Sequence, residues 1–351
     1  MKYENILVAL DMLGCPNRCR HCFMGWRENP RMGEADLRFV AEALRPYAKT
    51  LTVAGWNREP DFGDDYREKW ALCRELSSPG TPPEHYELAS VWRLARDPAY
   101  APWLKALGLR YVQLTLFGGE GLTDYFTGRK GAYQDILRAV DALLESGIAP
   151  RIQVFVNKQT LPELPAVEEL IGRLGLERRC EATGIPFVCF AHQGSCDGEA
   201  EKLYPIWPTS EDLARIPEKL ARYTCKHFNA KNLQAVFGQE EGRLVRELWE
   251  DGTTEHLGGG LSPVLYVDGA LDVYPNIGTP AAQWRLGNLR ADGPEKVLEN
   301  LAQDRSTAQR VRKTVPLGRL VQACGDPDSR RLFGRGDYVD YLLNRYCREK
   351  L

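Results

Sequence analysis

No run of 18 consecutive apolar residues occurs in this 351-residue sequence, and its first residues, Met1 to Asn5, lack the basic-then-apolar pattern of a secretory leader. A membrane-spanning helix and a signal peptide are therefore not expected, and the reading is cytoplasmic. Excess charge of either sign is missing too, since 46 Lys and Arg face 48 Asp and Glu for a formal net charge of -2. Phosphate backbones and anionic membranes recruit a basic surplus, so neither nucleic acid nor membrane is an expected partner. Ten Cys are too sparse for a disulfide scaffold in a chain this long and suit a reducing compartment. The five His show no His-x-x-x-His spacing, and no Ser-His-Asp set can be argued.

Apolar runs alternate with amphipathic segments, the pattern of parallel strands joined by crossover helices. Six strand-like runs stand out: Ile6–Asp11, Thr50–Trp56, Tyr86–Arg93, Tyr111–Gly118, Arg151–Lys158 and Ala182–Phe190. Each is rich in Val, Ile, Leu, Tyr or Phe, as a strand covered on both faces is. Helical patterns fall between them, including Glu34–Tyr47, Ala132–Ser146 and Leu161–Leu174. In the second, Ile136, Val140, Leu143 and Leu144 recur at helical spacing and Gly147 supplies a stop. The expected fold class is α/β, a partial (β/α)6 TIM-type barrel over residues 1–208 with a smaller α+β C-terminal extension over 209–351. In such architectures the chemistry sits at the C-terminal ends of the strands.

The loop leaving strand one reads Cys15-Pro16-Asn17-Arg18-Cys19-Arg20-His21-Cys22. Three thiolates so close can wrap one face of a cubane iron-sulfur cluster, which normally takes four Cys, and leave its fourth iron without a protein ligand. Half of a zinc site with His21 as a further ligand is the bland alternative. Zinc pairs usually show two short Cys clusters rather than one trio, and a zinc knuckle has no reason to occupy a strand end.

This spacing resembles the signature of the radical S-adenosylmethionine (SAM) superfamily. The resemblance implies a 4Fe-4S cluster on Cys15, Cys19 and Cys22, with SAM chelating the open iron through its amino and carboxylate groups. His21 fills a place usually given to an aromatic ring, and Phe23 counts among the cofactor-binding residues. After strand two, Ala54-Gly55-Trp56-Asn57-Arg58-Glu59-Pro60 resembles the family's Gly-Gly-Glu-Pro with residues inserted, which makes Glu59 the acceptor for the SAM ammonium. Ser90, near the end of strand three, is a further SAM-binding candidate. Strand four alternates Gln113, Thr115 and Phe117 on one face with Leu114 and Leu116 on the other, so the polar face looks into the barrel. Thr115 matches the family's position at the SAM carboxylate, Gln113 lies beside it, and Arg129 offers that carboxylate a bidentate fork. The Asp of the family's Ser-x-Asp-Gly is Phe117 here. Gly118-Gly119-Glu120-Gly121 follows strand four, not two, and reads as a tight turn. Strand five places Gln153, Phe155 and Asn157 on one face, with Asn157 near a ribose hydroxyl.

Beyond the barrel, Thr209-Ser210-Glu211-Asp212 opens a helix with an N-cap, Gly258-Gly259-Gly260 forms a hinge, and Leu265–Pro275 carries a hairpin signal with Asp-Gly at the turn. Leu286-Gly287-Asn288-Leu289 and a terminal helix with Tyr341 to Cys347 follow. That order resembles the SPASM or twitch extension of certain radical SAM enzymes without most of its cluster cysteines. Asn276 stands where a Cys follows Tyr-Pro, and Cys324 and Cys347 are too few for a four-thiolate cluster. A cluster-free lid over the barrel mouth is expected. Cys180, Cys189, Cys196 and Cys225 read singly as small buried hydrophobes, with an unusual auxiliary cluster as the alternative.

The implied activity is one-electron cleavage of SAM to methionine and a 5'-deoxyadenosyl radical. That radical would take a hydrogen atom from a polar natural product, an aminosugar, nucleoside or small peptide, leading to epimerisation, dehydrogenation or rearrangement. An electron donor such as flavodoxin or ferredoxin is the expected protein partner. Cys196 and Cys324 are the candidate catalytic thiols, able to return a hydrogen atom to a substrate radical. One rival is maturation of a ribosomal peptide with a standalone leader-binding partner, because the chain starts five residues before strand one. The other is a non-catalytic iron-sulfur or zinc protein. Asp61, Asp64 and Asp65 suit a cationic substrate if they face the cavity.

Overall fold

The computed structural model describes residues 2–11, 14–26, 29, 32–55, 59, 61–81, 88–254 and 260–351. Strand β1 (Tyr3–Leu10) buries Ile6, Val8, Ala9 and Leu10 completely, and β2 (Ala48–Gly55) runs parallel beside it from Tyr3 opposite Ala48 to Leu10 opposite Gly55. A second parallel block holds β3 (Tyr111–Leu116), β4 (Ala149–Phe155) and β5 (Val188–His192) in that order. Helices cover both blocks. In Ala132–Glu145 the buried residues Ile136, Val140, Leu143 and Leu144 form the expected stripe, and Gly147, at φ +71°, turns the chain into β4.

β6 (Gln239–Glu240) pairs antiparallel with β10 (Leu332–Phe333), while β7 (Val264–Val267), β8 (Asp272–Tyr274) and β9 (Gly287–Asn288) form an antiparallel meander. The expected hairpin is present. Asp268 closes it by accepting the Ala270 and Asp272 amides on Oδ1, at 2.9 and 3.1 Å. This meander is not separate from the barrel: β7 lies parallel to β1, giving a five-stranded sheet in the order β2-β1-β7-β8-β9. Among the described residues the sheets of the two parallel blocks are not joined into a closed barrel.

Two strand assignments need correction. Of the run Tyr86–Arg93, residues 86 and 87 lie outside the described residues, and Val91–Leu94 is a short helix rather than a strand. Ser90 is its N-cap, accepting the Arg93 amide at 3.2 Å. The run Ala182–Phe190 begins on the last residue of a helix, Leu176–Ala182, and its strand starts only at Val188. Leu161–Leu174 is divided, a 3₁₀ turn Leu161–Glu163 leading into the helix Leu164–Arg173. Thr209 and Asp212 make the expected capping box, but on the 3₁₀ helix Ser210–Arg215. Gly258 and Gly259 of the hinge lie outside the described residues, as do Trp56, Asn57, Arg58 and Pro60. No helix among the described residues is long and apolar enough to cross a membrane.

Candidate functional site

The Cys loop lies across the C-terminal ends of the strands and is fixed by its backbone. Arg18 and Arg20 donate their amides to the Thr127 and Phe126 carbonyls at 3.0 and 2.8 Å, so the loop zips onto the helix Glu120–Thr127. Gly128 makes that approach possible: it sits at φ +68°, and a Cβ there would collide with the Arg18 carbonyl. Gly198, at φ +57°, does the same from the loop after β5, where any side chain would strike the Phe23 and Cys22 carbonyls. The Glu199 amide then reaches the Cys22 carbonyl at 2.9 Å. The Asn29 side chain clasps the Cys15 backbone on both sides, at 3.1 and 3.0 Å. From the C-terminal part, the Thr279 hydroxyl donates to the Phe23 carbonyl.

Cys15, Cys19 and Cys22 line one cavity of about 370 Å³. None of the three is in a disulfide, and the Asn17 amide donates to the Cys15 sulfur at 3.4 Å. Burial pushes the Cys15 and Cys19 thiols up, and the neighbouring Glu59 and Cys side chains add to the rise. Crowded thiols of this kind are relieved by binding cations, which deprotonate them outright. A single zinc ion with sulfur bonds near 2.3 Å would draw its ligands to within about 4 Å of one another. Among the described residues no three His, Cys, Asp or Glu side chains are gathered to hold one metal ion. Three cysteines lining one cavity supply three of the four thiolates that a cubane cluster normally takes.

Glu59 stands in the same cavity, only 7 % exposed. Ser90 Oγ donates to its Oε2 at 2.7 Å and Asn17 Nδ2 to its Oε1 at 3.1 Å. Burial raises its pKa to about 7 against the pull of Ser90, Arg129 and Asn17. The Arg129 guanidinium is committed elsewhere than a ligand carboxylate. Its Nε holds Asn17 Oδ1 at 2.7 Å and its Nη1 holds the buried Asp135 at 2.5 Å. Asp135, Arg129, Asn17, Glu59 and Ser90 thus form one chain of hydrogen bonds that aims the carboxylate beside the Cys loop. The Asn17 link was not read from the sequence; no local pattern marks it, because its partners lie 42 and 112 residues away.

Gln113, Thr115 and Phe23 line the cavity as expected, and Gln153 joins them, with Gln113 Nε2 on Gln153 Oε1 at 2.6 Å. Period-two alternation along β3 and β4 carries that signal. His21 sits with ring centroids 4.7 and 4.3 Å from Phe117 and Phe155, and burial lowers its pKa to about 4, so its imidazole is neutral. Phe117, Phe126 and Phe155 form one buried apolar cluster, of which Phe155 reaches the cavity lining. Of the expected turn Gly118–Gly121, Gly118 and Gly119 form a bend, the latter's amide bound to Glu163 at 2.6 Å, whereas Glu120 and Gly121 already open the helix Glu120–Thr127.

Other candidates fall outside the cavity. Asn157 is buried, its Oδ1 taken by the Gln159 and Thr160 amides at 2.8 and 3.0 Å, and its role is to close the turn after β4. Ser90 is fully buried and supports Glu59. Cys196 and Cys324, 1 % and 4 % exposed, pack in an apolar cluster with Trp207 and Leu342 and are not themselves lining residues, although Ser195, next to Cys196, is one. The acidic trio is engaged outside as well: Asp61 accepts the Tyr100 hydroxyl, Asp64 meets Arg93 at 3.2 Å and Asp65 meets Lys69 at 3.2 Å.

Residues 11–170 match the radical SAM superfamily. Members of that family bind a 4Fe-4S cluster and SAM, and the site described above has the donor set for both. Among curated proteins, the Fe-coproporphyrin III synthase of Methanosarcina barkeri (strain Fusaro / DSM 804) is 34 % identical over 188 residues, 51 % of this chain and 41 % of that one. The chain therefore matches less than half the length of this relative. Among solved structures, native anSMEcpe with bound AdoMet superposes with a TM-score of 0.54 at 16 % identity, covering 98 % of this chain and 97 % of the other. The same protein with bound AdoMet and Kp18Cys peptide gives 0.54 at 16 %, over 98 % and 96 %. These likenesses establish the fold across nearly the whole chain.

Proposed function

We propose that this protein is a radical SAM enzyme in which Cys15, Cys19 and Cys22 hold the 4Fe-4S cluster and Glu59 accepts the SAM ammonium. The observation that carries the reading is the convergence of three cysteines outside any disulfide and a buried, hydrogen-bonded carboxylate on one cavity. When bound, the cluster supplies the electron that cleaves SAM to methionine and the 5'-deoxyadenosyl radical used to abstract hydrogen from substrate. The chain's own residues position and exclude. Ser90 and Asn17 hold Glu59 in one orientation, Arg129 holds Asn17, and Phe155, backed by Phe117 and Phe126, gives the cavity an apolar wall that disfavours water.

Gln113, Thr115, Gln153 and Ser195 give the cavity uncharged polar walls. Glu59 is the single carboxylate in its described lining, and it is committed to SAM. This disfavours a cationic aminosugar and favours a neutral or anionic polar substrate such as a nucleoside or small peptide. No Cys beyond the cluster trio is in that described lining, which speaks against return of a hydrogen atom from Cys196 or Cys324. Dehydrogenation, rearrangement or SAM regeneration is the better supported outcome. A second reading, radical chemistry on a tetrapyrrole, is favoured by the identity to Fe-coproporphyrin III synthase. We read residues 1–208 as the catalytic unit and 209–351 as its cover, with Thr279 reaching the Cys loop.

The test is anaerobic reconstitution with iron and sulfide, followed by electron paramagnetic resonance with and without SAM and detection of 5'-deoxyadenosine. About four irons per chain, a spectrum altered by SAM and formation of 5'-deoxyadenosine are expected. Bound zinc with no iron would defeat the reading.

A further inference from the structure

The cavity face of β3 and β4 carries a row of polar side chains whose hydrogen bonds run in one direction. In register, Gln113 lies opposite Arg151 and Thr115 opposite Gln153, and Gln153 has Phe190 of β5 on its other side. Arg151 Nη2 donates to Gln113 Oε1 at 3.1 Å, and Gln113 Nε2 donates to Gln153 Oε1 at 2.6 Å. A guanidinium has donors and no acceptor, so the atom it meets on Gln113 must be the amide oxygen. That turns the Gln113 nitrogen toward Gln153, whose own oxygen must receive it. The cation at the start of the row therefore settles how both carboxamides are turned. Gln153 Nε2 is left at the end of the row, without a hydrogen-bond partner among the described residues, on a residue that lines the cavity.

We propose that Gln153 selects the substrate, its Nε2 donating to a carboxylate or carbonyl oxygen that the substrate places on this wall, with Gln113 as the positioning residue behind it. The proposal rests on the function inferred above and deepens it by naming the group the substrate must carry. A row begun by a cation is polarised along its length, so its last N–H is a better donor than that of an isolated amide. A carboxylate is the strongest acceptor for such a donor. An ammonium group would need the Gln153 oxygen instead, and turning the amide to present it would set two N–H2 groups against each other at the 2.6 Å contact. SAM has other anchors: the Cys loop and Glu59 belong to the segments after β1 and β2, whereas Gln153 stands on the middle strand of the β3-β4-β5 block. Gln153 also comes two residues before Phe155, the last residue of β4, which sets it roughly 7 Å deeper along the same face.

The experiment uses the full chain, isotopically labelled in its glutamine side chains, loaded anaerobically with cluster and saturated with SAM. Its probes are propionate, propionamide and propylammonium, alike in size and different in head group. Nuclear magnetic resonance follows the Gln153 N–H2 pair, identified as the signals missing from Gln153→Glu. Propionate and propionamide should move these signals, propionate binding the tighter, and propylammonium should not. Gln153→Glu should weaken propionate about tenfold by removing a charge-assisted hydrogen bond, read from broadening of the propionate methyl signal. The sharper variant is Gln113→Glu, nearly unchanged in shape. Its carboxylate accepts from Arg151 and has no proton for Gln153, so Gln153 must turn, donate to it, and present Oε1 to the cavity. Preference should then pass from propionate to propylammonium. An equal response to all the probes, or none to any, overturns the proposal, as does a preference unchanged in Gln113→Glu. Signals that move on addition of SAM and then ignore propionate also overturn it, by giving the donor to the SAM carboxylate. Failure to take up iron or SAM would instead bring down the functional reading, a separable result because the inversion in Gln113→Glu is read by the same probes on the unloaded chain.

Discussion

Cys15, Cys19 and Cys22 on one side, and Cys196, Cys324 and Cys347 on the other, are the same side chain in two kinds of surroundings. The first three line a cavity, receive a backbone amide at one sulfur, and depend on Gly128 and Gly198 for the close approach of neighbouring backbone. The second three pack among Trp207, Tyr338 and Leu342, and burial pushes their thiols up. Burial raises thiol pKa values in both places, so the shift alone does not separate ligand from filler. Access and polar support do.

The largest expected effect breaks the first group. Replacing Cys15, Cys19 and Cys22 together by Ala should take bound iron from about four per chain to none, by colorimetric iron assay. Gly128→Val should lower iron loading severely with every cysteine intact, because its Cβ would displace the Arg18 carbonyl; full loading would show that the loop has room to move. Next in size, Glu59→Gln should weaken SAM binding about tenfold by removing a charge-assisted hydrogen bond. Since the Glu59 pKa is raised to about 7 by burial, wild-type SAM affinity should climb from about pH 6 to about pH 8 as the carboxylate forms, and the Gln variant should not follow.

Smaller effects sharpen the contrast in the second group. Asp197, beside Cys196, has its pKa raised to about 6, chiefly by burial and then by Asp340 and Asp337, against one Asn344 hydrogen bond. The folded state holds this proton more tightly than the unfolded chain, so the contribution to stability is full below about pH 4 and lost as pH rises through about 6. Asp197→Asn should therefore gain on the order of 1 kcal/mol over wild type at alkaline pH and nothing in acid, read from denaturant melts at both. Last, Cys324→Ala should leave the iron content unchanged and cost on the order of 1 kcal/mol of stability. Loss of iron in that variant would place Cys324 among the ligands.

What could be read from the sequence was local. The Cys loop, the Asp268 turn, the stripe of Ala132–Glu145 and the inward face of Gln113 and Thr115 follow from spacing and period. What could not be read depended on partners far along the chain. Arg129 has the fork for a ligand carboxylate, and only the fold reveals that Asn17 and Asp135 occupy it. Asn157 has a polar tip at a strand end, yet its own turn uses it. Val91–Leu94 is too short an apolar run for periodicity to separate strand from helix, and the Ser90 cap decided it.

The pairing of β7 with β1 also bears on how the chain can be divided. It places the strand that leads into the Cys loop inside a sheet, between β2 and β7. A fragment ending at residue 208 would bare the amides and carbonyls of Leu7 to Leu10 along an open edge, an invitation to pair with another copy. The complementary piece, 209–351, carries the strand that closes that edge. Supplied separately, it should dock by strand addition and suppress the self-association.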